Sequence, residues 1–263
     1  MLKQRIVTAV ALVALLAGAL FFVPATYVPA AFAVIVACAG WEWARLMHMG
    51  QSAGYLFAAG LLLACWQILI GVPESISIIL EISAVFWLLG APLWFRQKCT
   101  LAGNDAFGYG VGILVIIPMW LAMVVLFRAS AWLLLAVMAI VWVADISAYF
   151  VGRRFGRHKL APNISPGKTW EGVAGATLGV LVYIAIVMFN TGLMQRYSLI
   201  LFALIGVAFS VMGDLFESAI KRQAGVKDSG KLLPGHGGLL DRIDALTSTL
   251  PLAALVLILT GLA

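Results

Sequence analysis

Apolar residues run along this chain in stretches of about twenty, broken by short polar or glycine- and proline-bearing connections. They follow neither the strict alternation of a half-buried strand nor the narrow stripe of a surface helix. Crossing the hydrocarbon core of a bilayer as a helix takes about 20 such residues. Nine segments qualify, roughly 6–23, 27–47, 54–71, 76–95, 108–127, 131–150, 171–190, 197–217 and 242–262. The pattern predicts an all-α, polytopic integral membrane protein. Lys3 and Arg5 precede the first segment as they would in a secretory signal, but no clear small-residue cleavage site follows before the next apolar run, so this segment is read as a span.

Composition strengthens that reading. The 263 residues are 63% hydrophobic and 11% charged, with a mean hydropathy of +1.07, far above the about 45–50% apolar content of soluble domains. The net charge of +6 could suggest a polyanionic partner, but Lys and Arg concentrate in cytoplasmic loops of membrane proteins. With the N-terminus cytoplasmic, nine spans put Lys3, Arg5, Arg45, Arg96, Lys98, Arg153, Arg154, Arg157, Lys159, Lys168, Lys221, Arg222, Lys227, Lys231 and Arg242 on that side and only Arg128 and Arg196 opposite. Topology therefore accounts for the charge, places the C-terminus outside, and leaves no call for nucleic-acid binding. Cys38, Cys65 and Cys99 lie within or at the ends of apolar stretches without CxxC spacing, and read as small core residues.

Polar residues are unevenly spread. Residues 1–100 form a region of N-terminal transmembrane helices with isolated polar positions. There Glu42 and Arg45, three apart beside Trp41 and Trp43, have the spacing of a helical ion pair, and Glu81 should face protein or water. Residues 101–263 form a C-terminal catalytic region with two cytoplasmic loops, 151–170 and 218–241, each following a helix that ends in acidic and hydroxyl side chains. In the seventh segment, Gly172/Ala176 and Gly175/Gly179 have small-xxx-small spacing, which suits close helix packing within the fold or across a dimer.

The stretch Ser218–Asp244 packs five cations, three carboxylates, one His and five glycines into 27 residues. Charged groups near membrane depth cost about 2.5–3.5 kcal/mol each on insertion scales, so such a cluster marks a binding or catalytic site. Asp241 and Asp244 stand three apart at the start of the last helix, on one face, where they can hold a hard divalent cation or complement the helix dipole. The preceding glycines, with His236, Gly237 and Gly238, could turn backbone N–H groups onto a phosphate. Asp214, Glu217, Ser218 and Lys221 line one helical face, while Lys221, Arg222, Lys227 and Lys231 are placed to neutralise phosphate oxygens or to meet anionic headgroups. In the other loop, Gly167-Lys168-Thr169 is like the end of a Walker A motif, but that motif needs glycine where this chain has Pro162. Ser165, Lys168 and Thr169 remain as a basic, hydroxyl-rich anion site. No nucleophile stands beside a base, and phosphoryl or nucleotidyl transfer needs none, since it relies on positioning and charge neutralisation.

Ser218, Ile220-Lys221-Arg222, Lys227-Asp228, Gly230, Leu233-Pro234, His236-Gly237-Gly238 and Asp241-Arg242-Ile243-Asp244 together resemble the pattern of phosphatidate cytidylyltransferases, also called CDP-diacylglycerol synthases. The segments Asp145–Tyr149 and Ser165–Gly172 resemble that family too, so the likeness covers roughly residues 140–250. It implies transfer of the cytidylyl group of CTP to phosphatidate, giving CDP-diacylglycerol and pyrophosphate, in a dimeric polytopic protein of the bacterial inner membrane with its active site facing the cytoplasm. It also implies Mg²⁺, with or without a second cation. Carried onto this chain, Asp214, Asp241 and Asp244 become the metal carboxylates, with Ser218 and Lys221 beside them in the catalytic set. Asp145, Ser165, Lys168, Thr169, Arg222, Lys227, Asp228, His236, Gly237, Gly238 and Arg242 become the substrate and phosphate contacts. An anion transporter would instead show broken helices in two repeated halves, and no such repeat is visible. Another membrane cytidylyltransferase or a CTP-dependent lipid kinase would share the nucleotide site and differ in the lipid.

Overall fold

The computed structural model describes residues 2–71, 74–97, 99–101, 105–193 and 196–261. Lys98, counted above among the cytoplasmic cations, lies outside them, as do the side chains of Lys3 and Arg5. The helices are α1 (Leu2–Phe22), α2 (Val28–Leu46), α3 (Gln51–Ile70), α4 (Glu74–Val85), α5 (Ala91–Gln97), α6 (Asp105–Ala129), α7 (Ala131–Phe155), α8 (Trp170–Thr191), α9 (Ser198–Gln223), the short α10 (Leu240–Ile243) and α11 (Leu246–Leu259). A π-helical turn, Phe86–Gly90, joins α4 to α5. Among the described residues, six helices are long and apolar enough to cross a membrane, namely α3, the α4–α5 rod, α6, α7, α8 and α9. Shorter apolar helices cover Val10–Phe22 and Leu246–Leu259.

The all-α expectation needs one amendment. The loop between α7 and α8 carries a two-stranded antiparallel ribbon, β1 (Lys159–Ala161) and β2 (Ser165–Thr169), with Lys159 opposite Thr169 and Ala161 opposite Ser165. Pro162, Asn163 and Pro166 disfavour a helix here, and pairing the two arms satisfies backbone groups that a free loop would leave to water.

Helix α6 is apolar all round, as a buried helix or a membrane span can be, and it sits at the centre. Of its apolar stretch, 72% is buried inside the protein, against 28–39% for the other five long helices. A continuous core links both halves of the sequence, from Leu20, Phe32 and Trp43 through Trp120 to Phe216 and Leu250. The buried indoles find carbonyl partners, Trp43 Nε1 donating to Gly108 O at 2.9 Å and Trp120 Nε1 to Pro29 O at 3.1 Å. Leu56, Leu178 and Phe189 point outward, the side that hydrocarbon would cover. The three cysteines are free.

Small residues let α7 and α8 approach closely. A Cβ on Gly175 would lie 2.5 Å from Val151 Cβ, and one on Gly179 would overlap the Ser147 hydroxyl. That glycine face is therefore spent inside the fold. One other expectation is revised. Glu42 does not pair with Arg45: the guanidinium lies over the Trp41 ring at 4.9 Å, while Glu42 is fully buried and turned toward the loop before α10. Glu81 is exposed on the outer surface of α4, because Leu80, Ser83 and Ala84 take the inward side.

Candidate active site

Helix α9 is divided lengthwise near its end. Phe216 and Ile220 enter the core, where Phe216 meets the rings of Phe86, Trp87, Trp94 and Phe95. That anchorage rotates Asp214, Glu217, Ser218 and Lys221 onto the opposite side, toward α10 and the ribbon. Gly213 lets α11 come close, since a Cβ there would lie 2.7 Å from Asp244 O. Gln223 ties the helix end to the chain before α6, donating to Cys99 O at 2.8 Å and accepting from Leu101 N at 3.1 Å.

Two lysines organise the acids. Lys221 Nζ donates to Glu217 Oε2 at 3.0 Å and to Asp241 Oδ1 at 2.6 Å. Asp241 also accepts from Ser229 N at 3.0 Å and Gly238 N at 2.8 Å. Burial alone would raise the Asp241 carboxyl, but the Lys221 hydrogen bond and charge, with the two backbone donors, hold it below the usual carboxylate range. Lys168, carried by β2, forms an ion pair with Asp214, whose other oxygen accepts from Ser218 Oγ at 3.2 Å. Asp145 of α7 feels the charges of Asp214, Lys168 and Arg242. Asp244 is partly buried and feels the charges of Asp214 and Glu217, and its Oδ1 accepts from Ala245 N at 2.8 Å. The second Glu217 oxygen, Oε1, is buried with no hydrogen-bond donor.

An open cavity of about 440 Å³ lies between α7, α8, α9 and the ribbon. Asp145, Lys168, Thr169 and Asp214, with Tyr149, Arg153 and Ser210, form its polar part, and Ala144, Ala148, Val173, Ala176 and Val211 belong to its apolar wall. The arrangement offers a cation and carboxylates beside an apolar slot.

The remaining sequence-predicted residues are scattered around this centre. Ser165 begins β2. Thr169 is buried and accepts from Gly172 N at 3.1 Å, so its hydroxyl caps α8. Arg222 binds the carbonyls of Ile164 and Val226 and staples the ribbon to the end of α9. Lys227 and Asp228 line a separate cavity of about 260 Å³ with Arg45 and His48. Arg242 donates to His236 O at 2.8 Å, and His236 Nδ1 is buried without a partner. Gly237 has φ +86°, and a Cβ there would lie 2.7 Å from Asp241 Oδ2, so only glycine fits.

The expected phosphate cradle is arranged differently. The N–H groups of Gly238, Leu239 and Leu240 point at protein carboxylates, the first at Asp241 and the others at Glu42. Nor do Asp214, Asp241 and Asp244 converge: among the described residues no three acidic, His or Cys side chains form a set that could hold a metal ion. Asp241 is directed at Lys221 and the loop amides, while Asp214 lines the cavity and Asp244 lies behind it, close enough to feel its charge. Two carboxylates fit Mg²⁺, which keeps several waters and completes its shell with substrate phosphates. The sequence suggests only a local partner, Arg45, for Glu42 and no role for Ser229, because the long-range contacts that they make leave no local signature.

The sequence profile of the cytidylyltransferase family matches residues 3–260. The chain belongs to this family. The chain is also 39% identical to the phosphatidate cytidylyltransferase of Pseudomonas aeruginosa, over 99% of this chain and 98% of that protein. With the phosphatidate cytidylyltransferase of Haemophilus influenzae it shares 37% identity over 95% of this chain and 96% of that one. A third phosphatidate cytidylyltransferase, from Staphylococcus epidermidis, is 48% identical over 46% of this chain and 47% of its own length.

Proposed function

We propose that this cytidylyltransferase joins CTP to phosphatidate, producing CDP-diacylglycerol and pyrophosphate. The observation that carries the reading is the family match from residue 3 to 260, taken with the cation–carboxylate centre formed by Lys168, Asp214, Lys221 and Asp241. In the reaction a phosphate oxygen of the lipid bonds to the α-phosphorus of CTP. The bond from that phosphorus to the bridging oxygen breaks, and its electrons leave with pyrophosphate.

Lys168, at the mouth of the cavity, is placed to meet a phosphate oxygen, exchanging Asp214 for substrate. The small apolar residues of α7 and α8 line a slot suited to the lipid beneath its headgroup. Lys221 and Asp241 hold the loop before α10 against α9, which keeps Asp244 within the field of Asp214 and Glu217. The carboxylates of Asp214 and Asp244 would hold Mg²⁺, whose contribution when bound is to neutralise charge on the triphosphate and the leaving pyrophosphate. A site at headgroup depth can serve a soluble nucleotide and a membrane-bound acceptor together.

The same reading includes nine membrane segments, a cytoplasmic N-terminus and active site, residence in the bacterial inner membrane, and a homodimer. The lopsided distribution of Lys and Arg supports the orientation. The test is purified protein given radiolabelled CTP with a panel of lipid phosphates and lipid alcohols. A CDP-lipid from phosphatidate is expected. A phosphorylated lipid plus CDP would make it a kinase, and absence of turnover would overturn the assignment.

A further inference from the structure

The geometry points to Glu42 as a positioning residue that carries the N-terminal helices into the catalytic centre. Its carboxylate, fully buried on α2, accepts from Ser229 Oγ at 3.1 Å, Leu239 N at 3.0 Å and Leu240 N at 2.8 Å. Leu239 occupies the N-cap of α10 and has no side chain able to cap it. Glu42 supplies that cap from a distance of nearly 200 residues along the chain. A buried carboxylate is costly unless its oxygens are hydrogen-bonded, and here three donors meet them.

The loop before α10 is consequently clamped from two sides. Ser229 gives its backbone N–H to Asp241 and its hydroxyl to Glu42. Gly238 gives its N–H to Asp241 while the following two amides go to Glu42. The glycines allow this approach: a Cβ on Gly230 would overlap Glu42 Oε1, and one on Gly238 would lie 2.5 Å from Glu42 Oε2. Glu42 therefore decides where α10 begins, and with it the position of Asp241 against Lys221 and of Asp244 against Glu217. Glu42 does not line the cavity beside Lys168, so its effect on catalysis passes through Asp241 and Asp244.

The effect on turnover rests on the proposed reaction, whereas the clamp itself does not, and the two are read separately. Glu42→Gln keeps the volume but turns an amide NH₂ toward backbone donors. In the full-length protein in detergent, hydrogen exchange followed by mass spectrometry should show faster exchange across residues 229–241, with α6 and α11 unchanged. Initial rates should show kcat reduced by about 10²-fold, the effect of a roughly 1 Å misplacement, with KM for phosphatidate retained. Ser229→Ala, which removes one donor and no charge, should move both readouts in the same direction by less, and serves if the Gln variant does not fold. Unchanged exchange in 229–241, or exchange accelerated throughout the core, would overturn the clamp. Absent turnover in the wild-type protein would overturn the reaction and leave the exchange result standing.

Discussion

Lys221 Nζ lies 2.6 Å from Asp241 Oδ1, 20 positions further along the chain, and joins the end of α9 to α10 across the glycine-rich loop. Both side chains are largely buried, 11% and 4% exposed. Removing one member of such a pair costs about 3–5 kcal/mol, because the other is left without its partner.

Asp241→Asn should therefore lower the unfolding temperature and abolish turnover, with helical content retained by circular dichroism. Asp244→Asn should abolish turnover too. Wild-type rates in either variant would remove these aspartates from the catalytic centre.

Lys168→Met keeps the aliphatic stem and removes the ammonium. A hydrogen bond to a charged group is worth about 1.5–3 kcal/mol, which corresponds to a drop in kcat/KM of about 10- to 150-fold. Steady-state kinetics with varied CTP and phosphatidate would measure it, and an unchanged kcat/KM for both would take Lys168 out of the reaction.

Chelation with EDTA should stop turnover and added Mg²⁺ should restore it. If Asp214 and Asp244 hold the ion, Asp214→Asn should raise the Mg²⁺ concentration needed for half-maximal rate in whatever activity remains. Full activity in excess chelator would exclude a divalent cation.

Gly179→Leu forces a side chain into the space of Ser147. Overpacking of this kind costs about 1–3 kcal/mol, so thermal unfolding in detergent should move to lower temperature without a change in the size of the protein–detergent particle. A change in particle size at unaltered stability would place this glycine face between two copies of the chain.

Phe216→Ala should be more damaging, by about 3–5 kcal/mol, since four aromatic rings pack against that one side chain. Its turnover should fall as well, because Phe216 sets the rotation of Asp214, Glu217, Ser218 and Lys221 about α9. Stability and rate both at wild-type level would show that the cluster does not orient the helix.

Much of this was legible along the chain, because membrane helices leave a local record. A helix in hydrocarbon must satisfy its backbone internally and cover its surface with apolar groups, so the long stretches at 108–127, 131–150 and 171–190 coincide with α6, α7 and α8. The spacing of Asp214, Ser218 and Lys221 likewise places them on one side of α9 without reference to any other element. What only the tertiary structure decided was partnership. Lys168 meets Asp214, Lys221 meets Asp241, and Glu42 meets Ser229, Leu239 and Leu240 because helices distant in sequence pack side by side. The apolar run of α6 reads much like those of its neighbours and yet takes the centre. The same holds for the glycines of α8, whose spacing suits an internal or an external partner equally until Val151 and Ser147 are seen to fill the gap. Local periodicity records which face of an element is apolar; which neighbour covers that face depends on contacts between segments far apart in the chain, and those exist only after folding.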